Sequence, residues 1–193
     1  LARLGWSHGD DEIFSRDQFL SWFSLDHLGR SAAQFDEAKL RWVNAQHLKS
    51  LAGDDLASRV TPFLTREGIT PDARLSGICD VFKDRCDTLV ALAGWAKAFY
   101  ADVTPSAEEL AKHVTDAVRP ALAQLAERLQ ACPWEGPAIA VAIKDTLTAC
   151  QLKMPQLAMP VRVLVMGTAQ TPSLDAVLAL SKREIVLARL SKA

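Results

Sequence analysis

A chain of 193 residues, of which 49% are hydrophobic and 23% charged, has the composition of an ordinary globular protein and can form one to three small domains. It contains no apolar run that approaches the roughly 20 residues needed to span a membrane, and its first residues show no signal-peptide pattern. The net charge of −1 gives no indication, for the molecule as a whole, of nucleic-acid binding.

The charge is unevenly distributed along the chain. Residues 153–193 carry six basic and two acidic side chains, a net charge of +4, whereas residues 1–60 carry −2 and residues 61–152 carry −3. The basic excess therefore lies at one end of the sequence. This distribution is compatible with a polyanionic partner but does not require one.

Capping patterns predict the first helices. Residues 1–14 are interpreted as a helix end, a glycine-rich turn and an acidic loop. Ser15 with Gln18 forms a capping-box pattern at the start of one helix, and Asp36 is expected to cap the next. Gly53 is expected to end that second helix.

Glycine and proline punctuate the middle of the chain. Asp54 or Asp55 is predicted to cap a helix that Gly68 closes. Pro71 is predicted to open a longer helix, and residues 90–100 form a further apolar, alanine-rich segment.

A capping pattern and two prolines predict the first helices of the second half of the chain. Ser106 with Glu109 is a second capping-box pattern, and it predicts a helix of some 23 residues that Pro120 interrupts. Pro137 is expected to start another helix, which ends in a turn at residues 154–155. Each of these boundaries depends on local sequence alone.

The run of β-branched residues at 161–165 is ambiguous between a strand and a short buried helix. A single strand would have no partner in this sequence, so the helix is favoured. Ser181 with Glu184 predicts a last capping box. With about eight helices and no convincing strand pair, the fold class is all-α.

The stretch from residue 160 to residue 180 contains the most informative corner of the sequence. Pro172 is suited to the first position of a helix, and Thr171 before it is expected to cap the free N–H groups of that turn. Arg162 lies one short segment away. Such a corner suits an anion or the edge of a base, although a plain helix–turn–helix corner in a bundle fits the same pattern.

No catalytic or metal-binding motif is found. The sequence lacks the glycine-rich, Walker, HExxH and GxSxG patterns. Its four cysteines form no CxxC pair and have no nearby histidine at metal-ligand spacing, so we interpret them as buried thiols in a reducing compartment. The four histidines are scattered, and no catalytic residue and no metal ligand is assigned. The cysteines are Cys79, Cys86, Cys132 and Cys150, and the histidines are His8, His27, His47 and His113.

Four stretches, in order, resemble segments of the C-terminal portion of bacterial glutamyl-tRNA synthetases. They are LARLGWSHGDDEIFS, similar to the segment after the class I KMSKS-type loop; FDEAKLRWVNAQHL, similar to FDxxKLxWxNxxYI; RVTPFLTREG, similar to VxPFLxxxG; and residues 160–190, similar to PxRxALTGxxxxPxLxxxLxLLGKERxLxRL. Together they span nearly the whole chain.

The resemblance implies an all-α chain made of a stem-contact helical segment and two small helical anticodon-binding domains. The expected boundaries are 1–53 for the stem-contact domain, 54–101 for the first bundle and 102–193 for the second. The catalytic core would lie outside this chain, so the chain would bind tRNA without charging it and would need no cofactor. The parent glutamate–tRNA ligase would use ATP and Mg. The resemblance also implies a cytoplasmic monomer that binds tRNA-Glu and neither DNA nor a membrane.

The resemblance also implies roles for individual residues. Arg85 matches the arginine that reads the third anticodon base, and Lys39 matches a residue that touches the inside of the tRNA bend. Arg41 is placed beside Lys39 on the same predicted helix. The group around the first two anticodon bases comprises Arg162, Thr171, Pro172 and Leu174.

The chemistry of Arg85 suits this role. Arginine offers only hydrogen-bond donors, and the cytosine edge offers acceptors, whereas the guanine edge offers donors. Arg85 would therefore favour a glutamate anticodon, which ends in C, over a glutamine anticodon, which ends in G. Three alternatives remain open: Arg85 is an exposed charge paired with Asp84 or Asp87, the parent charges both tRNAs, or the chain is a helical protein-interaction module.

Overall fold

The computed structural model describes residues 5–29 and 34–192, and within them the fold is all-α, as predicted. The part of the predicted helix end that falls on residues 1–4 lies outside the described residues. Within the described ranges, extended pairing is limited to one isolated antiparallel bridge between Trp6 and Leu28. None of the described helices is long and apolar enough to cross a bilayer.

Eleven α-helices are present in the described residues, together with two short 3₁₀ helices at Leu25–His27 and Lys83–Arg85. In chain order the α-helices are α1 (Arg16–Trp22), α2 (Glu37–Ser50), α3 (Gly53–Arg66), α4 (Arg74–Phe82), α5 (Leu89–Lys97), α6 (Ala107–His113), α7 (Arg119–Ala131), α8 (Gly136–Ala149), α9 (Met154–Met166), α10 (Leu174–Leu180) and α11 (Arg183–Leu190).

Several predicted helix ends are confirmed. Ser15 and Gln18 form a complete capping box at α1, and the Asp36 carboxylate accepts a hydrogen bond from a backbone N–H in the first turn of α2. Gly68 follows α3 in the left-handed conformation, with φ +76°. The ambiguous run at 161–165 lies inside α9, as the absence of a partner strand predicted.

The prediction that Gly53 ends a helix is wrong, because Gly53 is the first residue of α3. The predicted caps Asp54 and Asp55 lie in the first turn, and the capping position is Ala52, without a side-chain bond. Gly53 is instead where α3 and α4 approach closely. A Cβ atom there would lie 2.5 Å from the Ser76 carbonyl oxygen and would also meet the Asp80 carboxylate.

We therefore expect Gly53→Ala to lower the free energy of unfolding by about 1–3 kcal/mol, because a methyl group would push two packed helices apart. Gly94→Ala is the matched control, since Gly94 lies inside α5 and a Cβ there meets nothing within 4 Å. That change should stabilise the chain by about 0.5–1 kcal/mol. Urea unfolding followed by circular dichroism measures both, and equal effects would contradict the close-approach argument.

Three further predictions about where helices begin and end are also wrong. The helix predicted from Pro71 begins at Arg74 and stops at Phe82, where the chain tightens into the second 3₁₀ helix. The predicted 23-residue helix is two helices, α6 and α7, and Pro120 lies in the first turn of α7 rather than in a helix interior. The predicted turn at residues 154–155 is the start of α9.

The predicted capping box at Ser181 and Glu184 is wrong as well. The capping position of α11 is Lys182, and no side chain bonds the free N–H groups there. The Ser181 hydroxyl donates instead to the Val177 carbonyl, 2.9 Å away, so it closes α10 rather than opening α11.

Among the described residues, one hydrophobic cluster extends from Leu48 to Leu190 and so crosses both expected boundaries. The division at 53/54 and 101/102 stays a prediction. Cys79 and Cys86 are buried in this cluster, as predicted, and burial raises the pKa of Cys79 to about 12 and that of Cys86 to about 11. Cys132 and Cys150 are only partly buried.

Candidate nucleic-acid interface

The corner between α9 and α10 is built around a glycine and a short loop. Gly167 ends α9 with φ +77°, and a Cβ there would lie 2.9 Å from Val103, so the position favours glycine. Glu109 on α6 accepts a hydrogen bond from the Ala169 N–H at 3.2 Å and so holds the loop. Sequence reasoning had assigned Glu109 to a capping box and missed this contact.

The predicted start of the following helix is wrong. α10 begins at Leu174, its capping position is Ser173, and no side chain caps it. The Thr171 hydroxyl donates to the Pro172 carbonyl at 3.1 Å instead of accepting from the first turn. The helix therefore starts two residues later than the sequence predicted, and Thr171 does not cap it.

The corner presents carbonyl oxygens to two arginines. Arg85 donates through Nη2 to the Thr171 carbonyl at 3.2 Å, and Arg162 donates through Nη2 to the Pro172 carbonyl at 3.1 Å. These two residues are 77 positions apart in sequence, yet their guanidiniums meet on neighbouring carbonyls. We call Arg85, Arg162 and residues 171–172 the arginine corner.

The arginine corner carries two positive charges, those of Arg85 and Arg162. Burial, and secondly the charge of Arg85, lower the pKa of Arg162. The Nε of Arg162 is buried without a hydrogen-bond partner. Within residues 5–29 and 34–192 neither arginine forms an ion pair. Two guanidiniums without a neutralising carboxylate, with several N–H groups still available, suit an acceptor-rich ligand.

The floor of the corner is apolar and packed. Thr171 is 5% exposed and Leu174 is 4% exposed, whereas Pro172 is partly exposed. Leu174 therefore supports the loop from below rather than offering a free surface. Pro172 is the apolar group of this set that a partner can reach.

The position of Arg85 is set by the end of α4. Arg85 is the last residue of the second 3₁₀ helix and is exposed, and Cys86 behind it is 3% exposed. The alternative that Arg85 pairs with Asp84 or Asp87 is not observed within the described residues. Asp87 pairs with Arg41 instead, at 3.3 Å.

Lys39 and Arg41 lie on α2 and bond acidic side chains rather than residues 171–172. Lys39 pairs with Glu12, and its ammonium lies 4.2 Å from the centre of the Trp42 ring. The Arg41 guanidinium bonds Glu37 at 3.0 Å and Asp87 at 3.3 Å. The hydrogen bond to Glu37, and then that to Asp87, raise the pKa of Arg41. The predicted residues therefore form two groups, one on α2 and one at the arginine corner.

Comparison with known proteins identifies the family of the chain. A family model described as "Anticodon binding domain" matches residues 55–193. The chain belongs to this family. The match contains the whole arginine corner and leaves Lys39 and Arg41 outside it.

Curated relatives extend the match of this anticodon-binding domain to the whole chain. A protein of Albidiferax ferrireducens named glutamate–tRNA ligase is 67% identical over 190 residues, which cover 98% of this chain and 41% of that protein. One of the same name from Paracidovorax citrulli is 66% identical, covering 100% of this chain and 41% of that protein. The chain thus spans about two fifths of these relatives, and its resemblance to the glutamyl-tRNA synthetase family is confirmed.

Solved structures support the fold. A crystal structure of a glutamate tRNA ligase from Elizabethkingia meningosepticum aligns with 99% of this chain and 39% of its own length, with a TM-score of 0.90 at 21% identity. A second, from Elizabethkingia anophelis, has a TM-score of 0.85 at 21% identity. At this identity the likeness concerns the fold alone.

Proposed function

We propose that the chain is the tRNA-binding, anticodon-recognising part of a glutamate–tRNA ligase that joins glutamate to tRNA-Glu with ATP. The observation that carries the proposal is the arginine corner, where Arg85 and Arg162 converge on adjacent carbonyls. The family match supports binding to a tRNA anticodon. The names of the relatives support glutamate as the amino acid.

Unpaired bases of an anticodon loop are read on their exposed edges and by stacking. Arg85 is exposed and keeps donors free beyond its bond to Thr171, so it can bond the O2 and N3 acceptors of a third-position cytosine. A guanine there would bring N1–H and N2–H donors toward the same guanidinium. Arg162 and Pro172 form the neighbouring contact surface for the first two bases, and the buried Thr171 and Leu174 support it from below.

Lys39 and Arg41 provide the second contact, with the tRNA backbone nearer the bend. Both are exposed cations on one helix, which suits phosphate binding. Their bonds to Glu12, Glu37 and Asp87 would be exchanged for phosphates on binding. Such exchanges make the affinity depend on salt concentration.

The chemistry of ligation is assigned to the rest of the parent protein. Within the described residues no cluster of three or more histidine, cysteine or acidic side chains could hold a metal ion. We assign the ATP and Mg chemistry to the part of the parent that this chain does not cover, since the chain spans 41% of the Albidiferax relative, and we expect the chain alone to be inactive. A cytoplasmic monomer is part of the same proposal.

A binding experiment tests the proposal. We expect a 17-nucleotide hairpin carrying the tRNA-Glu anticodon loop to bind this chain and to be protected from nuclease at the three anticodon bases, with affinity falling as salt rises. A hairpin of the same stem with a scrambled loop is the control. No binding at low salt would indicate a protein-interaction module instead, and equal binding of C-ended and G-ended loops would indicate a parent that charges both tRNAs.

A further inference from the structure

The segment that carries Arg85 is held at its start by α2. Lys83, two residues before Arg85, donates to the Leu51 carbonyl at 2.9 Å and pairs with Asp80 at 2.8 Å. Leu51 directly follows α2 as its C-terminal capping residue. This contact fixes the first turn of the second 3₁₀ helix against the end of a neighbouring helix.

The same segment is held at its far end by the middle of α2. Asn44 donates through Nδ2 to the Asp87 carbonyl at 2.5 Å, and Arg41 donates to the Asp87 carboxylate at 3.3 Å. Asp87 is two residues beyond Arg85. Residues 83–87 are therefore attached to one helix on both sides of the arginine.

This attachment matters because the side chain of Arg85 has few constraints of its own. It forms no ion pair in the described chain, and its bond is to the Thr171 carbonyl. A flexible arginine discriminates between bases only when its backbone fixes where the guanidinium can reach. Polar groups that recognise a ligand need support from the residues behind them, since a displacement of about 1 Å weakens the geometry.

We propose that Asn44 is a positioning residue for anticodon discrimination, acting through the Asp87 carbonyl on the backbone that presents Arg85. Asn44 does not touch the RNA in this proposal. It also links α2, which carries Lys39 and Arg41, to the arginine corner, so the two predicted tRNA contacts share one scaffold. The inference rests on the proposed function, because it assumes that Arg85 reads the third anticodon base.

The test is a double-mutant cycle on this chain with C-ended and G-ended anticodon hairpins. Asn44→Ala removes the donor, and Asn44→Asp keeps the shape but offers only acceptors to the Asp87 carbonyl. We expect each to lower the C-to-G affinity ratio by about 2- to 10-fold, the equivalent of one hydrogen bond. In the Arg85→Ala background the same changes should leave the ratio unaltered. Gln46→Ala, which removes an amide on the same helix, is the control and should leave the ratio at its original value.

The outcomes separate this inference from the proposed function. If Arg85→Ala leaves the ratio unchanged while the hairpins still bind, Arg85 does not read the base, and the positioning role fails with it, whereas absence of hairpin binding overturns the proposed function itself. If Arg85→Ala lowers the ratio but neither Asn44 variant does, only the positioning role fails. If both Asn44 variants lose their helical circular dichroism, the bond supports the whole fold rather than one side chain, and the positioning role is overturned.

Discussion

Replacing Arg85 with alanine is expected to remove most of the preference for an anticodon ending in C over one ending in G. The guanidinium supplies donors that a cytosine edge accepts and a guanine edge does not. A good arginine–base contact is equivalent to about 1–3 kcal/mol, so the affinity ratio should fall by about 5- to 150-fold. Fluorescence anisotropy with two hairpins that differ in this one base measures the ratio directly.

Two controls separate base reading from loss of charge. Arg119→Ala removes one positive charge from an exposed arginine of α7 that pairs with Asp116, and it should weaken both hairpins slightly and equally. Arg85→Lys keeps the charge but loses the planar fork, and it should recover affinity more than selectivity. A ratio that survives Arg85→Ala would show that Arg85 is only a structural bridge to the Thr171 carbonyl.

The sequence predicted those parts of the fold that depend on neighbouring residues. The caps at Ser15 and Asp36 need only the residues of one helical turn, and the structure confirms both. Gly53 and Pro71 were assigned from local preferences that packing overrides. Gly53 is small because α4 lies against it, and nothing in residues 54–55 reveals that neighbour.

At the candidate site too, part of the arrangement could be predicted from the sequence and part depends on packing. The resemblance implied anticodon roles for both Arg85 and Arg162, and the two guanidiniums do bond the adjacent carbonyls of residues 171 and 172. The geometry of their meeting was not predictable. The pattern Thr171–Pro172 suggested free N–H groups at a helix start, but α10 begins two residues later and the carbonyls face the arginines.

Asn44 illustrates a residue whose role depends on a long-range contact. It lies within the stretch FDEAKLRWVNAQHL, where an asparagine is part of the matching pattern, so the sequence did contain a signal. The pattern does not say what the amide bonds. Its partner is the carbonyl of residue 87, 43 positions away, and only the packing of α2 against the second 3₁₀ helix reveals it.

The largest loss of stability is expected from Arg189→Ala. Arg189 is 7% exposed and donates to three backbone carbonyls: those of Ala98 and Val165, at 3.0 and 2.6 Å, and that of Ala101, at 2.7 Å. These bonds join α11 to the end of α5 and to α9. Alanine would leave three carbonyl oxygens without this partner, at a cost of about 3–5 kcal/mol in the free energy of unfolding. Since 1 kcal/mol corresponds to a shift of about 2–4 °C in the midpoint of thermal unfolding for a chain of this size, the variant should unfold at a markedly lower temperature.

Arg59→Ala is the matched control for this prediction, because Arg59 is an exposed arginine of α3 and its loss should change stability by less than about 0.5 kcal/mol.

Arg189→Lys is the more informative variant. Burial lowers the pKa of Arg189, and the same burial would favour loss of the proton from a lysine, whose ordinary pKa is lower. The lysine variant should therefore be further destabilised as pH falls below its unfolded pKa, because the unfolded chain then binds a proton that the folded chain resists. Arg189→Ala should show no such pH dependence relative to the original chain in urea titrations at pH 6 and pH 9. If Arg189→Lys were as stable as the original chain at both pH values, one ammonium would be replacing the three-carbonyl contact, and the argument that the guanidinium fork joins three helices would fail.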